Sequence, residues 1–243
     1  MILLLDIGNS RIKWGFFEGG SIFGIASSVY QPQGVAQVAE RQWRNVIFPN
    51  RIIVSNVAGT KVASDLQTWV REVWHQEATF LVPQAEAHGV RNGYHDPSTL
   101  GADRWAALLG ASRRPHGWLC VVDCGTAVTI DILSDQNVHL GGLILPGLGL
   151  MRKSLLSGTA GIRSTLGTNL TWYARDTGNA VAGGTLYAIV ALIQKIVFEL
   201  SQEMSSKVEV LLTGGDAPLV ASLLQCPTQI DMDLVLRGLA LYA

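Results

Sequence analysis

The sequence predicts an α/β protein of two similar lobes, each a mixed sheet flanked by helices, with a cleft between them. Short apolar runs typical of buried strands alternate along the chain with segments of helical periodicity. The order strand, Asp-x-Gly turn, strand, turn, strand occurs twice, starting at Met1 and again at Trp118. A chain of 243 residues is long enough for two such lobes.

The first predicted lobe covers residues 1–115. Its first strand is a β-favouring apolar run that ends at a turn, and the next two strands are joined by Glu18-Gly19-Gly20. Helices are predicted where apolar residues recur at helical spacing or where Ala and Leu accumulate. The predicted elements are strands Met1–Asp6, Ile12–Phe17, Ser21–Ser27 and Val46–Ser55 and helices Thr60–Trp74 and Gly101–Ala111.

The second predicted lobe covers residues 116–243, with a boundary in the turn-forming segment Arg113–Gly117. It repeats the opening pattern of the first lobe and adds helices after the strands. The predicted elements are strands Trp118–Asp123, Val128–Leu133, Val138–Leu145 and Val208–Thr213 and helices Leu148–Ser157 and Gly184–Met204.

Composition excludes several classes of protein. Hydrophobic residues make up 48% and charged residues 15%, which indicates a folded chain with much covered surface, in a large core or in an oligomer. The net charge is −1 and no Lys/Arg run exceeds two residues, so we expect no nucleic-acid partner. The apolar stretches look too short and too interrupted for a membrane span. The N-terminus has no basic segment and no cleavage site, so we expect no signal peptide.

Three glycine-containing turns each follow a predicted buried strand: Asp6–Ser10, Asp123–Thr126 and Thr213–Asp216. Glycine permits close backbone approach, and the N–H groups of such turns can bind phosphate oxygens. The acidic residues of the first two turns would repel phosphate unless a cation lies between them. Each turn alone also fits an ordinary strand end. The duplicated pair together with the third turn favours metal-assisted nucleotide binding, although no Walker or dinucleotide motif is present.

The cysteines and histidines indicate neither disulfides nor zinc. Three cysteines, Cys120, Cys124 and Cys226, are an odd number and predict reduced thiols in a cytoplasmic protein. Cys120 and Cys124 alternate within a strand and are predicted to be packing residues. The five histidines are scattered, and none has ligand-like spacing to the cysteines.

Four segments resemble the type III pantothenate kinases, which belong to the superfamily of acetate and sugar kinases, heat-shock chaperone ATPases and actin. They are DIGNSRIK at 6–13, GADR at 101–104, DCGTAVTID at 123–131 and GGLILPGL at 141–148, in the family's order and spacing. The resemblance implies two ribonuclease-H-like lobes of the actin-like ATPase type. The chain departs from the family at Ser10, where Thr is more frequent, and at Gly161-Ile162, where a Leu-Pro pair is expected.

The resemblance implies a cytoplasmic kinase that uses ATP to convert pantothenate to 4′-phosphopantothenate, the first step of coenzyme A biosynthesis. It also implies a homodimer with its substrate pocket near the dimer interface, and the use of magnesium and of potassium or ammonium. Two alternatives remain: a transcriptional accessory protein of the same family without kinase activity, and a kinase for another small hydroxy acid or sugar. Intact Asp103 and Asp123 favour activity, and the missing basic patch disfavours direct DNA binding.

By the same resemblance, the first turn and the strand after it bind ATP, through Asp6, Ile7, Gly8, Asn9, Ser10, Arg11, Ile12 and Lys13. Thr126 of the second turn also contacts ATP in the family. Lys13 fits a solvated strand residue equally well. Asp123 matches the family's monovalent-cation ligand, and a magnesium ligand remains the alternative because oxygen ligands suit either ion.

The residues implied for the acceptor substrate are Tyr94, Gly101, Ala102, Asp103, Arg104 and Thr177, the last contributed by the neighbouring subunit. Asp103 matches the family's proton acceptor, which phosphoryl transfer to an alcohol requires. It also fits a helix cap. Arg104 could hold a carboxylate, steady the moving phosphoryl group or form a surface salt bridge. Tyr94 and Thr177 otherwise fit ordinary loop residues.

Overall fold

The structure, a computed structural model, describes residues 1–45, 48–162 and 167–243. It divides into two compact units, Met1–Pro115 with Asp233–Ala243, and His116–Met232. The predicted second lobe, residues 116–243, differs from this division, because the C-terminal segment Asp233–Ala243 belongs to the first unit.

The first unit contains a five-stranded mixed sheet in the order β3-β2-β1-β4-β5. The central strand β1 is antiparallel to β2 and parallel to β4. The strands are β1 Ile2–Ile7, β2 Arg11–Glu18, β3 Ser21–Val29, β4 Arg51–Asn56 and β5 Ala78–Phe80, with a small hairpin of β6 Glu86–Ala87 and β7 Val90–Arg91; the helices are α1 Val35–Trp43, α2 Thr60–Trp74, α3 Ala102–Ala111 and α7 Leu234–Leu239.

The second unit contains a sheet of the same topology, in the order β10-β9-β8-β11-β12. Its central strand β8 is antiparallel to β9 and parallel to β11, as β1 is to β2 and β4. The elements are β8 Trp118–Cys124, β9 Ala127–Leu133, β10 His139–Pro146, β11 Val208–Thr213, β12 Thr228–Ile230, α4 Leu148–Gly158, α5 Thr177–Glu203 and α6 Ala217–Ala221. The predicted α/β class with mixed sheets is confirmed.

Close helix packing explains why the C-terminal segment lies in the first unit. A side chain on Gly238 of α7 would collide with the Ala106 carbonyl oxygen of α3. A side chain on Gly110 of α3 would likewise collide with the Leu234 carbonyl oxygen of α7. Glycine at both contacts therefore lets the two helix backbones approach closely, and the apolar side chains of α7 complete the first unit's core.

Several elements begin or end elsewhere than predicted. The strand predicted over Val46–Ser55 begins at Arg51, and residues 46 and 47 of that prediction lie outside the described residues. The sequence analysis misses α1, although Val35, Val38, Ala39 and Trp43 are all buried at helical spacing. Helix α5 starts seven residues before the predicted Gly184, at Thr177, because Asp176 caps it there.

Aromatic packing dominates the core of the first unit. Trp43 forms edge contacts with Trp14 at 5.6 Å and with Trp69 at 6.1 Å between ring centroids. Trp69 in turn contacts Trp74 at 4.8 Å. These edge-to-face pairs fix α1 and α2 on one face of the sheet. Both helices are therefore held by the same buried cluster.

Among the described residues, helix α5 alone contradicts the expectation of no membrane-length apolar stretch. By length and composition alone it could cross a membrane, with a mean hydropathy of 1.8 over its best window, half of which is buried inside the protein. Leu186, Ile189 and Ile193 are fully buried in the core beneath β8 and β11. The apolar character of α5 is thus used in covering the second sheet.

Candidate active site

The first turn places a carboxylate opposite a lysine. Asp6, near the end of β1, pairs in register with Lys13 on the antiparallel strand β2. Residues that pair in this way project from the same face of a sheet. Lys13 Nζ also lies 2.7 Å from Asp233 Oδ1, and the two side chains are 23% and 27% exposed. Lys13 is therefore a half-buried, ion-paired residue, and the alternative of a solvated strand residue is wrong.

Backbone and side-chain hydrogen bonds hold the first turn in shape. The Gly8 N–H donates to the Arg11 carbonyl at 3.0 Å, which closes the turn. The Tyr30 hydroxyl donates to the Gly8 carbonyl at 2.9 Å and contacts the Asn9 carbonyl at 3.3 Å. Tyr30 is 1% exposed, and burial raises the pKa of its hydroxyl. The sequence analysis misses this brace because the contact joins residues more than twenty positions apart.

The second turn also joins the central strand of its sheet to the antiparallel neighbour, but it is one residue shorter than the first turn. Asp123 lies near the end of β8 and pairs with Thr129 of β9 and Thr213 of β11. The Gly125 N–H donates to the Ala127 carbonyl at 3.1 Å, whereas the first turn closes over one more residue. Thr126 accepts a backbone hydrogen bond of 2.9 Å from Gly147, the residue that precedes α4. The GGLILPGL segment thus abuts the second turn.

The third turn packs directly on the second. Gly214 has a φ of 89°, and a Cβ there would lie 2.6 Å from the backbone nitrogen of Cys124. The Asp216 N–H donates to the Cys124 carbonyl at 3.0 Å. Burial raises the pKa of Asp216, and the positive charge of Arg152 opposes that rise. The arrangement explains why glycine follows Thr213, since only glycine fits at this contact.

The thiol of Cys124 lies near the acidic residues of these two turns. Burial, together with the negative charges of Asp123 and Asp216, raises the pKa of the thiol to about 12. Two carboxylates therefore border one short backbone segment. Among the residues that the structure describes, no group of three His, Cys, Asp or Glu side chains could enclose a metal ion. A cation here would need phosphate, carbonyl or water oxygens to complete its coordination.

Helix α3 carries the predicted proton acceptor in its first turn. Gly101 is the residue before the helix, so the alternative that Asp103 caps it is wrong. Asp103 Oδ1 accepts the Arg104 backbone N–H at 2.7 Å. At this position the unpaired N–H groups and the helix dipole stabilise a negative charge. Asp103 is thus a preoriented carboxylate.

The buried Arg104 is hydrogen-bonded to the partly buried Tyr94. Arg104 is only 5% exposed, and its Nη1 donates to the Tyr94 hydroxyl at 2.6 Å. Its guanidinium carbon lies 5.3 Å from the centroid of the Tyr94 ring. The alternative of a surface salt bridge for Arg104 is therefore wrong. The structure brings together Tyr94, Asp103 and Arg104, three of the predicted acceptor residues, whereas Thr177 belongs to the second unit.

Each unit also contains a cavity that the sequence analysis misses. In the first unit, a cavity of about 410 Å³ opens where β4 and β5 end and α2 begins, lined by Asn56, Thr60 and Phe80. In the second unit, a cavity of about 520 Å³ lies between α4 and α5 and includes Thr177 in a mostly apolar lining. Both volumes suit a small organic molecule.

Comparisons with known proteins agree with the motifs. The model of the type III pantothenate kinase family matches residues 2–199. The type III pantothenate kinase of Nitrosococcus oceani is 41% identical over 99% of this chain and 92% of its own length. The enzyme of the same name from Azoarcus sp. is 40% identical over 100% of this chain and 90% of its own length.

Solved structures show the same fold. A Campylobacter jejuni protein described as a Baf family transcriptional activator has a TM-score of 0.63 at 25% identity, over 98% of this chain and 95% of that one. A 2-dehydro-3-deoxygalactonokinase from Sinorhizobium meliloti has a TM-score of 0.59 at 15% identity, over 99% and 97%. The predicted actin-like ATPase and sugar kinase fold is confirmed. On the family model and these relatives, the chain belongs to the type III pantothenate kinase family.

Proposed function

We propose that this chain transfers the γ-phosphoryl group of ATP to the primary hydroxyl of pantothenate, as the first step of coenzyme A biosynthesis. Membership of a kinase family implies ATP and a divalent metal ion. The observation that carries the proposal is the start of α3, where the Asp103 carboxylate directly precedes the buried Arg104 bonded to Tyr94. Phosphoryl transfer to an alcohol requires such a proton acceptor beside a fixed positive charge.

The acceptor residues have distinct roles in this proposal. Asp103 takes the proton from the attacking hydroxyl. Arg104, which is withdrawn from water and oriented by Tyr94, binds the carboxylate of pantothenate through its planar guanidinium. Gly101 and Ala102 provide the backbone at the helix start. An Arg104→Lys variant should then raise the KM for pantothenate more than it lowers kcat, whereas the reverse would place Arg104 on the phosphoryl group.

For the nucleotide, we assign the first turn and Lys13 to the phosphates of ATP, together with Thr126 of the second turn. Support comes from the braced backbone of the first turn and from the positive charge of Lys13 opposite Asp6. Backbone N–H groups in such turns bind anions, and a lysine adds a point charge. Ser10 supplies the hydroxyl that the family more often takes from threonine.

For the cations, we assign potassium or ammonium to Asp123, and magnesium to the ATP phosphates. The residues present fit a cation, because Asp123 and Asp216 both lie beside Cys124 and a phosphate near them would meet two negative charges. The cation would supply charge neutralisation there. Comparing rates in potassium, ammonium and sodium salts distinguishes this assignment from the alternative, in which Asp123 binds magnesium.

We also propose a cytoplasmic homodimer in which Thr177 completes the partner subunit's substrate pocket. Support comes from exposed apolar side chains on the edge strand β10, where Leu140, Leu143 and Ile144 are 50%, 49% and 64% exposed. Homodimer interfaces are typically apolar at their core. Co-expressed Asp103→Asn and Thr177→Ala subunits should form hybrids more active than either parent. Hybrids that never exceed the parents would place both residues in one subunit's pocket.

A second candidate function is transcriptional accessory activity without catalysis. The observation in its favour is the likeness to the Campylobacter jejuni protein. The direct test of both is ATP-dependent phosphorylation of labelled pantothenate by the purified protein. The assay includes other small hydroxy acids and sugars at equal concentration. Pantothenate should be strongly preferred. Absence of phosphorylation with every acceptor would support the accessory role, and preference for another acceptor would identify a different kinase.

A further inference from the structure

We infer that Asp233, in the C-terminal segment, is a positioning residue that holds Lys13 at the first turn for nucleotide binding. The inference rests on the proposed function, because Lys13 is part of the proposed ATP site. Asp233 lies beyond residues 2–199, the part of the chain that the family model matches. Neither the motifs nor the comparisons therefore give this residue a role.

The contact differs from the surface ion pairs of the first unit. Lys13 Nζ and Asp233 Oδ1 are 2.7 Å apart, and about three quarters of each side chain is shielded from water. In the pair of Lys61 and Asp65 on α2, the side chains are 86% and 42% exposed. Water and salt screen an exposed pair strongly, and a shielded, charge-assisted hydrogen bond much less. Asp233 therefore restricts Lys13 more than Asp65 restricts Lys61.

Asp233 is itself held firmly. It immediately precedes α7, and its carbonyl accepts the Arg237 N–H at 2.9 Å. Leu234, Leu236 and Leu239 of that helix are fully buried. Through its close glycine contacts, α7 is fixed on α3, the helix that begins with the proposed proton acceptor. The C-terminal segment thus connects the lysine of the first turn to the helix of the acceptor site, within one unit.

The strand register explains why the contact between Asp233 and Lys13 matters for nucleotide binding. Lys13 also lies opposite Asp6, so its ammonium group has carboxylates available on two elements. A lysine side chain is flexible and loses much rotamer freedom when a single geometry is required. Asp233 provides that restriction before nucleotide arrives, and without it Asp6 is the carboxylate that remains opposite Lys13. A preoriented cation binds phosphate at a lower entropic cost.

The test compares Asp233→Asn with wild type and with Asp65→Asn as the matched control. Within the described part of the chain, the Asp233 side chain does not cap α7, so Asn preserves size without losing a cap bond. Titration calorimetry with a non-hydrolysable ATP analogue should show about tenfold weaker binding, typical of losing a hydrogen bond to a charged group. The KM for pantothenate should not change. Asp233→Glu should restore most of the affinity, and Asp65→Asn should bind as wild type does.

A double-mutant cycle shows whether Asp233 acts through Lys13. Lys13→Met combined with Asp233→Asn should bind the analogue no more weakly than Lys13→Met alone. Wild-type or tighter binding by Asp233→Asn would overturn the inference and indicate that Asp233 competes with phosphate for the lysine. Additive losses would also overturn it. If Asp233→Asn melts below the assay temperature, Asp233→Ser, a strong helix-capping residue, takes its place in the cycle.

The two proposals fail separately. If the wild-type protein does not phosphorylate pantothenate, the proposed function fails, while the binding titration still tests Asp233. If the wild-type protein is active and Asp233→Asn binds the analogue with unchanged affinity, only the positioning role of Asp233 fails.

Discussion

In both units the central strand of the sheet ends in an acidic residue and a glycine turn, with Asp6 in the first and Asp123 in the second. The neighbouring antiparallel strand places Lys13 opposite Asp6 but Thr129 opposite Asp123. The parallel neighbour contributes a hydroxyl in both cases, from Ser55 and from Thr213. The same backbone therefore presents two differently charged turns.

The difference shows how a repeated fold can place different charges at equivalent turns. The first turn contains its own positive charge in Lys13, which Asp233 holds in place. The second turn lacks a lysine at the matching position and has Asp216 nearby instead. A phosphate group at the second turn would therefore meet more uncompensated negative charge than one at the first turn. Lys13 or Thr129 on the facing strand, with Asp216 near the second turn, sets this difference.

The largest expected effect concerns the proposed proton acceptor, Asp103, which lies in the first unit. Asp103→Asn keeps the size of the side chain but cannot accept a proton, so kcat should fall by about 10²–10⁴-fold. Circular dichroism and gel filtration should show an unchanged fold and assembly. Asp135→Asn, at an exposed turn of the second unit, serves as the control. A rate near that of wild type at saturating pantothenate would remove Asp103 from this role.

The next effect tests the cation of the second turn. Rates in potassium or ammonium salts should clearly exceed those in sodium at fixed ionic strength and fixed magnesium. Asp123→Ala should lose most of the activity and, with it, the difference between the salts, because the carboxylate that binds the ion is gone. Equal wild-type rates in all three salts would contradict a specific monovalent site and favour the alternative that Asp123 binds magnesium.

A smaller effect should follow from making the second turn like the first. Thr129→Lys places an ammonium group opposite Asp123, in the register that Lys13 occupies opposite Asp6. The variant should retain part of its activity without potassium and need a few-fold more potassium for half-maximal stimulation, since the new charge replaces part of the cation's and repels the ion. The measurement is a potassium titration of rate, with Thr129→Gln as the uncharged control. An unchanged half-maximal potassium concentration would contradict the role given to the charge difference between the two turns.

The smallest effect is on stability. Cys124 occupies the place that Ile7 has in the first unit, and burial raises the thiol pKa of Cys120 and Cys124 to about 12 from 9.0. Above pH 9 the unfolded thiols lose protons that the folded protein retains, so stability should fall as pH rises toward 12. Each thiol contributes at most about 1.4 kcal/mol per pH unit. Urea midpoints at pH 8 to 10.5 should fall less steeply in a Cys120→Ala, Cys124→Ala variant, and parallel curves would contradict the prediction.

Local patterns made the sheets and their turns predictable. An apolar run followed by Asp-x-Gly is readable at Asp6 and at Asp123 because strand, turn and glycine lie within a few residues of one another. The GADR motif likewise marked the start of α3, where Asp103 and Arg104 lie, and their role toward an acceptor substrate stays a prediction. The partners that support the first turn and Lys13 were not predictable. The hydroxyl of Tyr30 on the first turn and the carboxylate of Asp233 on Lys13 are contacts between distant positions, which no local periodicity encodes.

The return of the C-terminal segment to the first unit has a consequence for synthesis on the ribosome. Residues 116–232 form a unit whose whole sequence is available before translation ends. The first unit, although translated earlier, lacks α7 until residues 233–243 leave the ribosome. Domains commonly fold in the order in which they are made. Here, however, we expect the second unit to be complete before the first, although most of the first is translated earlier.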